Sequence, residues 1–173
     1  MEKPTGSVLF LDISSRVGWC FGCPGDPMPK WGVWLIPISE GFGKAFIAFE
    51  NVLLDFIDEF QPGRIAVERP IPQRGNNVVT AELTYGLHAI VALHCYRHDL
   101  ALTRPAVGTI RAKVCGRSKR TDMEKAAKIG VKDAIVLPWI KSMGWGEITS
   151  ADARDAAAGW AFETGLRAKR RAA

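Results

Sequence analysis

Two short apolar stretches that each end in a carboxylate constrain the fold of this chain most strongly. Residues 7–11 lead to Asp12, and residues 64–67 lead to Glu68. Consecutive apolar residues bounded by polar ones are typical of strands that are buried on both faces of a sheet. Because a buried, ionised carboxylate without partners is strongly destabilising, we expect Asp12 at the open end of its strand, facing a cation or a capping loop. Glu68 ends its strand in the same way.

The segments around these stretches predict further strands and two helices. Residues 17–21 and 32–36 are aromatic and β-branched runs separated by a Gly/Pro-rich turn, which predicts an antiparallel meander with the first strand. Apolar residues from 42 to 60 recur at steps of three and four, which predicts an amphipathic helix. Residues 78–98 predict a second helix, and residues 100–103 predict a last short strand.

The C-terminal third is predicted to be helical. Residues 121–124 (TDME) have the form of a capping box, so a helix should begin there, and Gly130 and Pro138 should break or kink the chain beyond its first turns. The last helix should start near Thr149 or Ser150 and carry an alanine-rich face inward. The predicted order of elements along the chain is three strands, a helix, a strand, a helix, a strand and then helices. This order predicts an α/β fold with a mixed five-stranded sheet and helices on both faces, as in the RNase H-like fold.

Length and composition favour one ordinary globular domain. The 173 residues suit a single domain over 1–173 with a short basic tail at about 167–173, and 47% of the residues are hydrophobic. No run approaches the roughly 18 consecutive apolar residues of a membrane span, and the N-terminus lacks the layout of a secretory signal. We therefore expect a cytoplasmic protein without membrane association, with its four cysteines free.

Positive charge is concentrated in residues 104–132, which we call the basic segment. It carries nine basic residues against Asp122 and Glu124, a local charge of +7 in a chain whose total is +5. Residues 167–171 form a second basic cluster. A solvated helix face is the simplest explanation of a charge run, but this concentration favours a polyanionic partner, most simply nucleic acid.

Cysteine and histidine do not suggest a site. Cys20 and Cys23 form a single CxxC without a second pair at zinc-ribbon spacing, so small buried thiols near a turn are the better interpretation. The histidines at 88, 94 and 98 lie in one predicted helix with mixed spacing. We interpret them as core or helix-surface residues.

Four carboxylates are predicted to converge. Asp152 and Asp155 are three residues apart, so they share a face near the start of the last helix. The first and fourth strands are neighbours in a sheet of the predicted order, which brings Asp12 and Glu68 to the edge where that helix can present its aspartates. Such a cluster needs cations for neutralisation, and its hard oxygen ligands select Mg²⁺ or Mn²⁺ over zinc.

Each carboxylate also has a purely structural explanation. Asp152 could close a capping box with Thr149, and Glu68 could pair with Arg64 or Arg69 at the sheet rim. A shared cation site formed by the four carboxylates would be excluded only if every one of these structural explanations were correct. We therefore prefer the common site.

Four short motifs occur in order along the chain: residues 11–19 (LDISSRVGW), 66–68 (AVE), 114–116 (VCG) with the adjoining basic stretch, and 151–157 (ADARDAA). This ordered set resembles the RuvC family of Holliday junction resolvases, in the divergent form found in phages and prophages. The resemblance implies an RNase H-like endonuclease that acts as a homodimer on four-way DNA junctions, with Asp12, Glu68, Asp152 and Asp155 as metal ligands. Two features depart from the family pattern: its Asp-Pro-Gly is Asp-Ile-Ser here, and residues 69–74 lack the aromatic that commonly comes after the glutamate.

With this resemblance, we expect paired phosphodiester hydrolysis by two Mg²⁺ or Mn²⁺ ions, with Asp12 as the bridging ligand. The alternatives are a less selective nuclease for branched or flap DNA on the same fold, and a non-catalytic DNA-binding module with a vestigial acidic site. An actin-like ATPase domain is set aside, because 173 residues are too few for two lobes and no phosphate-binding glycine loop comes after Asp12.

Basic residues along the chain are the expected DNA contacts. They are Arg74, Arg111, Lys113, Arg117, Lys119, Arg120, Lys125 and Lys128. Among them, Lys119, Arg120 and Lys125 are expected near the scissile strand, where Lys125 could stabilise transition-state charge. A dimer interface is expected on apolar helix surface, from Leu87, Val91 or the segment 139–145.

Overall fold

A five-stranded sheet is the centre of the computed structural model, which describes residues 6–70 and 78–166. The strands are β1 (Val8–Asp12), β2 (Arg16–Gly22), β3 (Lys30–Leu35), β4 (Arg64–Val67) and β5 (Ala101–Thr103). Their order is β3-β2-β1-β4-β5. The first three strands pair antiparallel, whereas β4 pairs parallel with both β1 and β5. The predicted mixed sheet, with the first and fourth strands adjacent, is confirmed.

The helices surround this sheet. They are α1 (Phe42–Phe60), α2 (Val78–Arg97), α3 (Val107–Val114), α4 (Asp122–Ala126), α5 (Leu137–Ser142) and α6 (Ala151–Glu163), with a 3₁₀ turn at Ile38–Glu40 and a π-helical turn at Lys132–Val136. The capping box at Thr121 is present, since its hydroxyl accepts from the Glu124 amide and the Glu124 carboxylate accepts from the Thr121 amide. Helix α3 was not predicted, because only Ile110 and Val114 of its eight residues are buried.

The two faces of the sheet bury two separate cores. Val8 and Phe10 of β1 pack with α3, α5 and α6, while Leu9 and Leu11 pack with α1 and α2 on the opposite face. The alternation results from the two-residue period of a strand, and the complete burial of all four side chains explains why the sequence reads as a continuous apolar run. Helices therefore cover both faces, as predicted.

Helix α6 lies unusually close to the sheet because two glycines leave room for it. A Cβ atom at Gly18 of β2 would lie 2.2 Å from the Asp152 carbonyl oxygen, and one at Gly159 would lie 2.1 Å from the Phe10 ring. Gly18 is the antiparallel partner of Asp12. The close packing therefore sets the first turn of α6 directly against the end of β1.

Several expectations about single residues can now be compared with the structure. All four cysteines are free, as expected, and Cys20 is buried. His88 and His94 are buried in α2, where the His94 Nε2 lies 2.6 Å from the Glu50 carboxylate. Arg74 and the basic tail at 167–173 lie outside the described residues.

Helix α2 is long and apolar enough, by length and composition only, to cross a membrane. One side of it packs on the sheet and on α1. Leu87 and Val91 belong to this buried side and are fully covered. Trp139 and Trp145 are 5% and 2% exposed in the opposite core, so the expectation that these residues form an interface is wrong.

Candidate active site

Three aspartates meet at one lysine ammonium group. Asp12 comes from the end of β1, and Asp152 and Asp155 come from the first two turns of α6. The Lys132 Nζ lies 3.2 Å from Asp12 Oδ2, 3.2 Å from Asp152 Oδ1 and 3.0 Å from Asp155 Oδ2. The structure thus brings three of the four predicted carboxylates within hydrogen-bonding distance of a single atom.

Glu68 joins this group through the parallel pairing of β1 and β4. Its backbone N–H donates to the Leu11 carbonyl at 3.1 Å, so it lies beside Asp12 at the same edge of the sheet. Burial, together with the charges of Asp12 and Asp155, raises the pKa of Glu68 to about 8 against the opposing effect of Arg111 and Lys132. We call Asp12, Glu68, Asp152 and Asp155 the acidic cluster.

The electrostatics show that the acidic cluster lacks positive charge. Burial raises the pKa of Asp12 to about 6, with Asp155 and Asp152 adding to the effect and Lys132 opposing it. The pKa of Lys132 is raised, because Asp12 and Asp155 outweigh the effect of its own burial. The neighbouring cations, Lys132 and Arg111, therefore do not prevent the pKa of Glu68 from rising above neutral pH.

Two arginines border the cluster. The Arg16 Nε lies 3.2 Å from Asp152 Oδ2, and the Arg111 Nη2 lies 3.2 Å from Asp155 Oδ2. Arg111 was expected to bind DNA, but its side chain is only 15% exposed and faces the carboxylate. The arginines increase the total positive charge around the two helical aspartates.

The structure contradicts a capping role for Asp152 and a pairing of Glu68 with Arg64. The N-cap of α6 is Ser150, and no side chain closes a cap there, so Asp152 is not a capping residue. Arg64 pairs with Glu163, donating to its carbonyl oxygen at 2.5 Å, and not with Glu68. Both residues are left for the acidic cluster.

The basic segment presents lysines on the surface. The exposed ones are Lys113, Lys119, Lys125 and Lys128. Lys125 was expected near the scissile strand, and it pairs with Asp122 at 2.6 Å. The Arg120 Nη1 donates to the Ile129 carbonyl at 2.6 Å. The lysine that reaches the acidic cluster is Lys132, which belongs to the basic segment but was not predicted to lie in the site.

Within residues 6–70 and 78–166, no group of three or more His, Cys, Asp or Glu side chains has the geometry of a metal site. The donor set nevertheless fits a hard divalent cation, because carboxylate oxygens are its preferred ligands and a cationic nitrogen already lies where three of them meet. The pKa values of Asp12 and Glu68, raised first by burial and then by the neighbouring carboxylates, point the same way. The acidic cluster is therefore suited to a cation.

A cleft of about 690 Å³ opens beside the cluster. Asp12 and Glu68 line it, together with Thr84, Tyr85 and His88 of α2. Burial lowers the pKa of His88 to about 4, helped by the charge of Arg104, so this imidazole is neutral at physiological pH. The cleft therefore reaches two of the four carboxylates of the acidic cluster.

Solved structures resemble this fold over nearly the whole chain. T. thermophilus RuvC in complex with a Holliday junction substrate matches with a TM-score of 0.66 and 13% identity over 93% of this chain and 97% of that one. A second Thermus thermophilus RuvC structure matches with a TM-score of 0.62 and 15% identity, over 92% of this chain and 97% of that one. The yeast mitochondrial Holliday junction resolvase Ydc2 matches with a TM-score of 0.61 and 14% identity, over 96% of this chain and 82% of that one. No protein-family model and no curated protein matches the chain. The chain has the RuvC-like resolvase fold, in agreement with the predicted RNase H-like architecture.

Proposed function

We propose that this chain, which has a RuvC-like resolvase fold, is a metal-dependent, structure-selective DNA endonuclease that resolves four-way junctions by paired phosphodiester hydrolysis. The observation that carries the proposal is the convergence of Asp12, Asp152 and Asp155 on the Lys132 ammonium, with Glu68 beside them. The similar T. thermophilus RuvC structure contains a Holliday junction substrate, which supports branched DNA as the ligand.

The acidic cluster would hold Mg²⁺ or Mn²⁺ through Asp12, Glu68, Asp152 and Asp155. When bound, two such ions activate a water molecule and stabilise the leaving oxygen of the phosphodiester. Lys132 shares the oxygens of three of these carboxylates, so its ammonium and a divalent ion compete for them. In the presence of metal, Lys132 then has charge available for a phosphate group that enters the cleft.

DNA is expected to run along the basic segment to the acidic cluster. Lys113, Lys119, Lys125 and Lys128 are exposed and can neutralise backbone phosphates. Arg120 is tied by one guanidinium nitrogen to the Ile129 carbonyl and keeps its other donors for phosphate. Such contacts position the duplex without reading its sequence.

Two copies of the chain are expected to associate through the outer side of α2. Beyond the part of α2 that lines the cleft, that side exposes Leu93 and Tyr96, of which Tyr96 is 87% exposed. The two residues are three positions apart, so they lie on one stripe of the helix. A self-complementary stripe suits a two-fold axis, and paired cuts in a junction need two active sites.

Cleavage of a labelled four-way junction tests the proposal. We expect Mg²⁺ or Mn²⁺ to support two matched nicks, and Asp12→Asn to abolish cleavage while junction binding is retained or tightened, because the substitution removes negative charge that faces phosphate. Asp58→Asn is the matched control, since Asp58 is exposed on α1.

Three other outcomes identify a different function. Equal cleavage of flaps and junctions indicates a less selective branched-DNA nuclease. Binding without cleavage in either metal, unchanged by Asp12→Asn, indicates a DNA-binding module. Normal cleavage by Asp12→Asn removes the acidic cluster from the mechanism.

A further inference from the structure

Lys132 enters the acidic cluster from an unusual piece of backbone. It is the first residue of the π-helical turn Lys132–Val136, which continues directly into α5. A π turn is wider than an α turn and is rarely stable without support, and such turns are frequent at functional sites. A lysine stem has four rotatable carbons, so the position of the ammonium depends on how firmly this turn is held.

Two arginines hold the turn at the two residues after Lys132. The Arg154 Nη2 lies 3.3 Å from Asp133 Oδ1, which ties the turn to α6 between Asp152 and Asp155. The Arg117 Nη2 donates to the Ala134 carbonyl at 2.7 Å. The second contact comes from the basic segment, 17 residues earlier in the chain.

Arg117 is itself fixed by Glu124. Its Nη1 and Nη2 donate to the two carboxylate oxygens at 2.7 and 2.5 Å, and Glu124 also closes the capping box of α4 with Thr121. The hydrogen bonds from Arg117 lower the pKa of Glu124 to about 2, with help from Thr121, and the pKa of Arg117 is raised. The Arg117–Glu124 pair, which we call the clamp, is therefore charged at any physiological pH.

We propose that Arg117 is a positioning residue that aligns Lys132 with the acidic cluster through the Ala134 carbonyl, and that it is not a phosphate contact. Three of the five N–H groups of its guanidinium are committed to Glu124 and Ala134. The clamp links the segment that faces DNA to the turn that carries the active-site lysine. The inference rests on the proposed nuclease function and assigns a role within the same site.

A comparison of Arg117→Gln with Lys119→Gln tests the assignment. Arg117→Gln removes the charge and shortens the side chain by two bonds, so it loses both the contact with the Ala134 carbonyl and the two-point contact with Glu124. We expect it to lower the single-turnover cleavage rate by about tenfold to a hundredfold, with the dissociation constant of the junction within about twofold and an unchanged salt dependence. Lys119→Gln should instead reduce the slope of log K against log salt by about one.

The effect of Arg117→Gln should disappear when Lys132 is already absent. In a Lys132→Ala background, we expect Arg117→Gln to change the residual rate by less than about twofold, because two residues that act through one group are not additive. An equal loss in both backgrounds, or a reduced salt slope for Arg117→Gln, would overturn the proposal. Glu124→Gln should reproduce the loss, and it replaces Arg117→Gln if that variant does not fold.

A second measurement needs no cleavage. The NMR signal of the Lys132 ammonium in the free, metal-free protein should be shifted and protected from solvent exchange, and Arg117→Gln and Glu124→Gln should remove both effects. If the protein cleaves no DNA but this signal responds, the proposed function fails while the positioning role stands. An unaltered signal in both variants overturns the positioning role.

Discussion

At the scale of single residues, the Lys132 ammonium lies within 3.2 Å of oxygens of the three aspartates that would be ligands of the proposed metal ion. Replacing it with alanine removes a competing cation, so we expect Lys132→Ala to bind Mn²⁺ about tenfold more tightly, which corresponds to about 1.4 kcal/mol. Cleavage at saturating metal should nevertheless fall by about a hundredfold, because the charge that faces phosphate is lost. Calorimetric titration without DNA measures the first effect, and single-turnover cleavage measures the second.

Lys128→Ala is the matched control for this substitution. Lys128 is exposed in the same segment and is expected to contact DNA, so its loss should weaken DNA binding but leave the Mn²⁺ affinity unchanged. Mn²⁺ binding by Lys132→Ala that is no tighter than that of the native protein would contradict competition between the lysine and the metal for the same oxygens.

The raised pKa values of Asp12 and Glu68 predict an unusual pH dependence of stability. Both carboxyl groups hold protons in the folded protein at pH values where the unfolded chain has lost them. The free energy of unfolding of the metal-free protein should therefore fall as pH rises from about 4 to about 8. Glu68→Gln should remove part of this fall and stabilise the protein at pH 8 by on the order of 2 kcal/mol.

Urea unfolding at pH 5 and pH 8 in the presence of EDTA measures this effect. Glu147→Gln serves as the control, since Glu147 is exposed. It should leave the free energy of unfolding nearly unchanged at both pH 5 and pH 8. A metal-free protein that becomes more stable towards pH 8 would contradict the electrostatic account of the acidic cluster.

At the scale of secondary structure elements, the contact between β2 and α6 determines where the helical aspartates lie. A methyl group at Gly18 would overlap the Asp152 carbonyl, so Gly18→Ala must push the first turn of α6 away from β1. We expect the variant to lose cleavage by at least about tenfold and to lose about 1–3 kcal/mol of stability. Gly43→Ala is the control, because nothing lies near its Cβ position in α1 and alanine favours a helix there.

The elements with a strong apolar pattern are the ones that the sequence predicted. Helix α1 has a regular apolar stripe, and β1 and β4 have continuous apolar runs. Because these residues must be buried, their spacing determines both the kind of secondary structure and its position in the fold. Helix α3 lacks such a stripe and is stabilised by tertiary packing. The position of the three aspartates was predictable from the strand order, whereas Lys132 depends on a π turn that two distant arginines hold, and no local pattern encodes it.

At the scale of the whole molecule, the outer side of α2 predicts a homodimer. Sedimentation equilibrium at micromolar concentration should give the mass of a dimer, and Leu93→Asp combined with Tyr96→Asp should give a folded monomer. Met123→Asp is the control, because Met123 is 83% exposed on α4 and does not belong to the α2 stripe. A native protein that is a monomer with and without junction DNA would favour the single-nick nuclease.

The central position of β1 also has a consequence for protein synthesis. Its Val8 and Phe10 are covered by α6, which the ribosome makes about 140 residues later, so this face of the strand stays exposed until that helix docks. The same docking event delivers Asp152 and Asp155 to Asp12. A nascent or truncated chain without α6 thus exposes the apolar face of β1 and lacks Asp152 and Asp155, so the apolar surface and the incomplete acidic cluster occur together.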